Sequence, residues 1–354
     1  MKIAILDDYQ NATAQLGCLD LLLGHEVKVF NSTTRGLGQL AIRLAPFDAL
    51  VLIRERTALT RALLAKLPNL KLISQTGKLA GHVDVAAATE FGIAIAEGVG
   101  SPTAPAELTW ALIMAAARKI VPYATNLKDG LWQTASVNPQ LNGLGVVLKG
   151  RTLGIWGYGK IGQLIAGYGR AFGMRVVVWG SQASRDKAVA DGHAAAASRE
   201  AFFGEADVLS VHLRLNPDTR GIVTAADLAR MKPTALFVNT SRAELVEPAA
   251  LERALNLGRP GYAALDVFES EPLGADAPLL RIPTVLATPH LGYVEQDSYE
   301  LYFRHAFQNI VDFANGTCDK INNPEYRANV RSNNHGGDDL ESPANARSNN
   351  LGDT

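Results

Sequence analysis

The feature that most constrains this chain is the alternation of short, β-branched apolar runs with segments of helix length. The runs "KIAILD", "EVKVFN", "ALVLIR", "LKLISQT" and "IAIAE" fall within the first hundred residues. A second series occupies "TLGIWG", "RVVVWG", "DVLSVHL", "ALFVNTS", "YAALDVF" and "TVLATPH". Strands this short and this apolar, spaced by helices, specify an α/β chain whose sheets are parallel. Two doubly wound units in succession are predicted.

At 354 residues the chain exceeds what one hydrophobic core usually organises, which also fits two domains. Between the two series, "PAELTWALIMAAARKI" (Pro105 to Ile120) is apolar on nearly every face. Such a helix is expected to be buried all round, between domains or against a second subunit. After the last run, "DSYELYFRHAFQNIVDFANG" reads as an amphipathic helix ending at Gly316, long enough to return the chain to the first domain. The expected first domain is then discontinuous, residues 1–100 with 294–320, and the second spans 101–293. From about Asn322 the composition turns to Asn, Ser, Gly and Asp, too poor in apolar residues to offset ordering entropy, so 321–354 is expected to be a disordered tail.

With 34 Lys+Arg against 35 Asp+Glu, the chain lacks the basic excess that a nucleic-acid or membrane-surface partner calls for. Its cysteines, Cys18 and Cys318, lie far apart without metal-type spacing, so neither a disulfide framework nor a metal site is expected. The opening "MKIAILDDYQ" puts acids directly after a short apolar run, unlike a signal peptide, and no stretch approaches a membrane span. A soluble, cytoplasmic protein is the expectation.

In "TLGIWGYGKIGQLIAGYGRAFG" the glycines Gly157, Gly159 and Gly162 sit between a strand and a helix. The first permits a tight turn, the second lets backbone approach a pyrophosphate, and the third lets helix and strand pack closely. Glycine is frequent here, so the pattern alone is weak. Its position between strand and helix is what favours a dinucleotide over a purely structural turn.

Ligands of open α/β sheets bind beyond the carboxyl ends of the strands. In the second series, "ALFVNTSR" ends at Arg242, "YAALDVFESEP" runs into Glu271, and "TVLATPH" delivers His290. Each alone reads as an ordinary polar loop residue: a surface arginine, a solvated acid, a histidine shaping a turn. Together they fit one reaction. Reducing a 2-keto acid requires a grip on a carboxylate, which arginine's planar fork provides. It also requires a proton at the carbonyl oxygen, which histidine can supply and take back. A glutamate on the other ring nitrogen would fix the tautomer.

Over roughly residues 1 to 320 the chain resembles the D-isomer-specific 2-hydroxyacid dehydrogenases, through "GIWGYGKIG", "DVLSVHLRLNPDTRGIV", "MKPTALFVNTSRAELV", "ALDVFESEP" and "TPHLGY". The resemblance implies a Rossmann cofactor domain inserted into a flavodoxin-like substrate domain, and a homodimer with the cofactor domains in contact. It makes Arg242 the substrate arginine, His290 the acid/base and Glu271 its partner acid. It also implies that Tyr158, Lys160 and Ile161 lie along the pyrophosphate, His212 and Thr219 near the adenosine, and Asp266 near the nicotinamide amide. Thr240 and Gly292 complete the cofactor set, and Lys78 and Leu79 belong to the substrate loop.

The sequence departs from that family's pattern at three places. In "SQTGKLAGHVD" Gly77 is kept, but Leu79 stands for the second glycine of a Gly-x-Gly loop and His82 for an asparagine. Lys78 is either an anion-binding or a solvated lysine. Arg214 replaces a proline beside the adenine. At the end of "RVVVW", Gly180 stands where NAD-selective members carry an acid, followed by Ser181, Gln182, Ser184 and Arg185. Without that carboxylate, NADP is favoured over NAD. The expected activity is hydride transfer between a nicotinamide cofactor and a small anionic 2-keto or 2-hydroxy acid. The alternatives are a phosphite- or formate-type dehydrogenase on the same fold, or a non-catalytic nucleotide-sensing protein.

Overall fold

A computed structural model describes residues 1–326, apart from 35, 135, 137, 318 and 319. The chain forms two compact units, one from Met1–Gly100 with the segment from Glu300 onward, the other from Ser101–Tyr299. The later seam falls between Tyr299 and Glu300, inside the helix Gln296–Ala314, six residues beyond the 293/294 boundary read from the sequence.

In the first unit, β1 (Lys2–Ile5), β2 (Glu26–Val29), β3 (Ala49–Leu52), β4 (Leu72–Gln75) and β5 (Ala94–Ala96) form one parallel sheet of order β2-β1-β3-β4-β5. β3 and β4 are buried at every position, which is why they read as unbroken apolar runs. On one face Ala4, Leu50, Leu52 and Ile73 pack with Leu59, Leu63 and Leu64. The helix residues Phe303, Ala306, Phe307 and Ile310 are almost fully buried, and Ser74 Oγ donates to Ala306 O at 2.8 Å. That helix stops where Gly316 takes φ 80°, with Gly316 N donating to Phe313 O and Thr317 N to Asp312 O, a Schellman-type ending.

Residues 321–326, assigned from the sequence to the tail, have defined partners: Ile321 bridges Ala96, Asn323 Oδ1 accepts from Ile95 N, and Tyr326 is buried. Asn323 closes the free edge of β5, its Nδ2 also donating to Ile93 O at 2.9 Å, contacts that composition cannot reveal. The remainder of the predicted tail lies outside the described residues.

In the second unit, β6 (Thr152–Trp156), β7 (Arg175–Trp179), β8 (Ala194–Ala195), β9 (Val208–Val211), β10 (Leu236–Asn239), β11 (Tyr262–Leu265) and β12 (Val285–Ala287) form a parallel sheet of order β12-β11-β10-β9-β6-β7-β8. The order reverses between β6 and β9, so the glycine turn after β6 stands at the topological switch point. Strand alternation splits the core in two. Leu153, Ile155, Leu236 and Val238 face one cluster, while Trp156, Leu209, Val211 and Phe237 face another with Phe202 and Phe203.

The helix Thr103–Ala117 packs on the helix Lys160–Ala171 and on β10 and β11. It buries Ala106, Thr109, Leu112 and Ile113, but Glu107 and Ala111 are exposed and Trp110 and Met114 only half-buried. Within one chain it is therefore buried on one side, not all round.

Candidate active site

At the switch point, each glycine of the turn answers a specific steric demand. Gly157 has φ 101°, and a Cβ there would lie 2.5 Å from His212 O. A Cβ on Gly162 would lie 2.1 Å from Gly157 O. Above Gly159, by contrast, nothing lies within 4 Å, and no side chain caps the helix that starts at Lys160. Open space over an uncapped helix amino end, reached through a glycine, is a cradle for a diphosphate. A nicotinamide dinucleotide fits it.

Several side chains around the turn are held by partners within the chain. Tyr158 is buried, and its hydroxyl donates to Asp191 Oδ2 at 3.0 Å. Burial and that aspartate push its phenol up to about 12, so only its backbone can line a pyrophosphate. His212 bonds Ser210 Oγ through Nε2 at 2.9 Å, while its Nδ1 is shielded without a partner among the described residues. Burial pulls its imidazole down to about 4, leaving it neutral. Thr219 is engaged locally, its Oγ1 donating to Arg214 O at 2.7 Å within the Asn216 turn. Thr240 Oγ1 pairs with Thr109 Oγ1 at 2.7 Å.

Gly180 has φ 153°, so glycine here is a backbone requirement as well as a missing carboxylate. The turn continues into Ser181, whose Oγ accepts from Ser184 N and caps the helix Gln182–Ala190. The Arg185 guanidinium lies 4.7 Å over the Trp179 ring and donates to Gln182 Oε1 at 2.7 Å. Stacking and hydrogen bonding hold this cation beside the end of β7.

At the other flank of the same edge, Asn239 pairs with Leu265 and Leu265 with Ala287, so β10, β11 and β12 end level. This register gathers Arg242, Asp266, Glu271 and His290. His290 Nδ1 lies 2.6 Å from Glu271 Oε2, and Glu271 Oε1 accepts from Phe268 N at 2.9 Å. With Nδ1–H committed to the glutamate, Nε2 is the nitrogen left to exchange a proton. Arg242 is steadied by its neighbours: Asn239 Nδ2 donates to Arg242 O at 2.8 Å, and Arg242 Nη1 donates to Ser241 O at 2.6 Å.

Asp266 has a geometry the sequence did not suggest. Fully buried, it accepts from Thr288 Oγ1 at 2.6 Å, Leu291 N at 2.7 Å and Gly292 N at 2.8 Å. These donors flank His290, which is held at φ 53°. Burial raises the Asp266 carboxyl above its usual range, against the pull of those donors and of His290.

In the first unit, Lys78 Nζ lies 3.0 Å from Glu97 Oε2, and Leu79 N donates to Glu97 Oε1 at 2.6 Å. The Arg54 guanidinium covers Gly77 so closely that a Cβ there would fall 1.9 Å from Nη1. Sequence reasoning missed Arg54 and Glu97. Arg54 stands two residues beyond β3 and Glu97 directly after β5, both at carboxyl ends of strands, in "VLIR" and "AIAE", which was the available signal.

Comparison with known proteins bears on this arrangement. A sequence model described as D-isomer specific 2-hydroxyacid dehydrogenase, NAD binding domain, matches residues 110–292. Glyoxylate reductase of Aeropyrum pernix is 38% identical over 257 residues, 72% of this chain and 76% of that protein. D-3-phosphoglycerate dehydrogenase of Methanocaldococcus jannaschii is 36% identical over 268 residues, 75% of this chain, and the match spans only 49% of that longer protein. A solved oxidoreductase from Ralstonia solanacearum is 59% identical, with a TM-score of 0.90, covering 92% of this chain and 97% of the other.

Proposed function

The chain belongs to the D-isomer-specific 2-hydroxyacid dehydrogenases, NAD-binding oxidoreductases that move hydride between a nicotinamide and a hydroxy or keto acid, and we propose that Arg242, Glu271 and His290 carry that reaction here. The observation behind the assignment is the 2.6 Å Glu271–His290 contact on the strand edge that also presents Arg242. When bound, the nicotinamide supplies or accepts the hydride at the substrate's C2. In reduction, the Arg242 fork grips the substrate carboxylate. The protonated His290 gives the Nε2 proton to the carbonyl oxygen and is left as neutral imidazole, its Nδ1–H still on Glu271. In oxidation the same nitrogen takes the hydroxyl proton. Gly159 and the uncapped helix amino end would hold the diphosphate.

For the cofactor, the reading is that NADPH serves at least as well as NADH. Its support is a turn at 180–185 that carries hydroxyls, an amide and a held guanidinium but no acid against a 2′-phosphate. For assembly, the reading is a homodimer. Trp132 is 71% exposed, Leu144 96% and Val147 69%. A second copy would cover this apolar surface, which is costly to leave wet. No described helix is long and apolar enough to cross a membrane, and a reducing compartment suits the buried, free thiol of Cys18.

The test is a panel of glyoxylate, hydroxypyruvate and 3-phosphohydroxypyruvate with NADH and with NADPH, alongside phosphite and formate with the oxidised cofactors. Turnover of a keto acid supports the reading. Turnover of phosphite or formate alone would replace it.

A further inference from the structure

The loop Gly77–Leu79 lies between two side chains that the sequence gives no reason to associate with it. Arg54 covers Gly77 from one side, and Gly98 N donates to Gly77 O at 2.9 Å. From the end of β5, Glu97 reaches both of the next residues, Lys78 through its ammonium and Leu79 through its amide. Glu97 is itself held: its carbonyl accepts from Asn309 Nδ2 at 3.2 Å, and its amide donates to Asn322 Oδ1 at 3.2 Å. Its side chain is 18% exposed while that of Lys78 is 65% exposed, so the enclosed carboxylate is the fixed partner and the lysine comes to it. Leu79 cannot adopt the range of backbone conformations open to a glycine. Something other than glycine freedom must set the shape of this loop.

We infer that Glu97 is a positioning residue for substrate: its carboxylate clasps Lys78 and Leu79, fixing the loop and cancelling the lysine's charge, so that the loop offers backbone N–H groups rather than an ammonium to the anionic acid. This rests on the reading that loop 77–79 meets the substrate. Leu79 N–H to carboxylate is a charge-assisted bond, among the stronger hydrogen bonds available to a loop. The hydrogen bonds to Leu79, Lys78 and Asn322 hold the Glu97 carboxyl below the usual range even though burial opposes them, so the clasp is closed at neutral pH.

Lys78 then has a paradoxical part. Removing it does not simply subtract an attraction; it exposes a negative charge. Lys78→Met should raise KM for the keto acid about fivefold to tenfold, the scale of one uncompensated charge several ångströms away at a protein surface, with kcat changed less than about twofold. Glu97→Gln keeps an oxygen for Leu79 N but loses the charge. Combining it with Lys78→Met should therefore return KM to within about twofold of the parent. A lysine that bound substrate directly would leave the double variant as impaired as Lys78→Met. Glu97→Ala should raise KM and also speed exchange of the Leu79 amide, followed by hydrogen–deuterium exchange of the intact protein.

A high KM in the double variant overturns the charge-cancelling role. If Leu79 exchange responds to Glu97→Ala while KM responds to no variant, the link to substrate is overturned, and with it the reading that this loop meets the acid. If Leu79 exchange is the same in parent and Glu97→Ala, the clasp itself is overturned while that reading stands.

Discussion

Replacing Asp266 with asparagine probes how the strand edge holds its histidine. In the parent, Oδ1 accepts from Thr288 Oγ1 and Leu291 N, and Oδ2 accepts from Gly292 N. Asparagine can keep the first two contacts but turns an N–H₂ toward the Gly292 N–H, two donors facing in a site with no exposed surface. Losing a hydrogen bond to a charged group and leaving a buried donor unmet costs about 3 kcal/mol.

An opposing effect must be subtracted. Because burial raises the folded-state carboxyl above 3.8, the folded protein binds the proton more tightly than the unfolded chain. Stability from this group is therefore lost as pH rises from 3.8 through the raised value, and ionised Asp266 is a cost at neutral pH that asparagine removes. The hydrogen-bond loss of about 3 kcal/mol is therefore an upper bound on the destabilisation. For a unit the size of Ser101–Tyr299, it corresponds to a melting temperature lower by at most about 6–12 °C. With its turn loosened, His290 should be misplaced by a fraction of an ångström to an ångström, and kcat should fall about 10- to 100-fold. Thr288→Val, which removes a single donor, should cost about 1 kcal/mol. Differential scanning fluorimetry, steady-state kcat and cofactor titration by fluorescence measure the three quantities. Parent-like melting and turnover in Asp266→Asn would show that the turn holds itself, and the reasoning fails. Weakened cofactor binding with unchanged melting would instead return Asp266 to the nicotinamide amide.

The same geometry carries further expected outcomes. His290→Ala should lower kcat about 10²- to 10⁴-fold while cofactor affinity, set at Gly157–Gly162, stays near the parent's; near-normal turnover across pH would remove His290 from the reaction. Arg185→Ala should reduce kcat/KM for NADPH about tenfold and leave NADH within about twofold. That variant is a cleaner probe than Gly180→Asp, because φ 153° strains any side chain at 180. Acid should act partly through Asp227, whose carboxyl Arg199 and Thr224 hold below 3.8: its contribution is present above that value and is lost as pH falls through the lower folded value. Asp227→Asn should flatten the dependence of melting temperature on pH below about 4, and an unchanged acid limb would show that the pair contributes nothing.

How much of this could be read from the sequence depends on the distance over which each determinant acts. The strands were legible because both faces of β3, β4, β9 and β10 are buried, so apolar runs mark them directly. The three glycines of the turn were legible for the same local reason, and the open space above Gly159 is what their spacing serves. Burial direction was not. Tyr158 sits between two glycines of a phosphate loop yet turns its ring inward to Asp191, a partner more than thirty residues away. The apolar helix after Pro105 was legible as a helix, but composition reports what its surface is made of, not whether this chain or another copy covers the side left open here.

Gly180 shows the limit most sharply. From sequence it is an absent carboxylate, a statement about the ligand; in the structure it is also a φ of 153°, a statement about the chain. Only the second explains why an acid could not simply be restored there. In the proposed reading, discrimination between NADH and NADPH would fall to the adjoining helix start, where Ser181 caps the first turn and Arg185 lies on Trp179. The same logic joins Glu97 to Lys78: a residue adjacent in space but distant in the chain replaces, by hydrogen bonding, the conformational freedom that a missing glycine would have supplied. Departures from a family's pattern are in this sense paired with compensations. For Gly180 the compensating groups adjoin it in the chain, whereas for Leu79 the partner is Glu97 at the end of another strand, where a single sequence gives no spacing by which to find it.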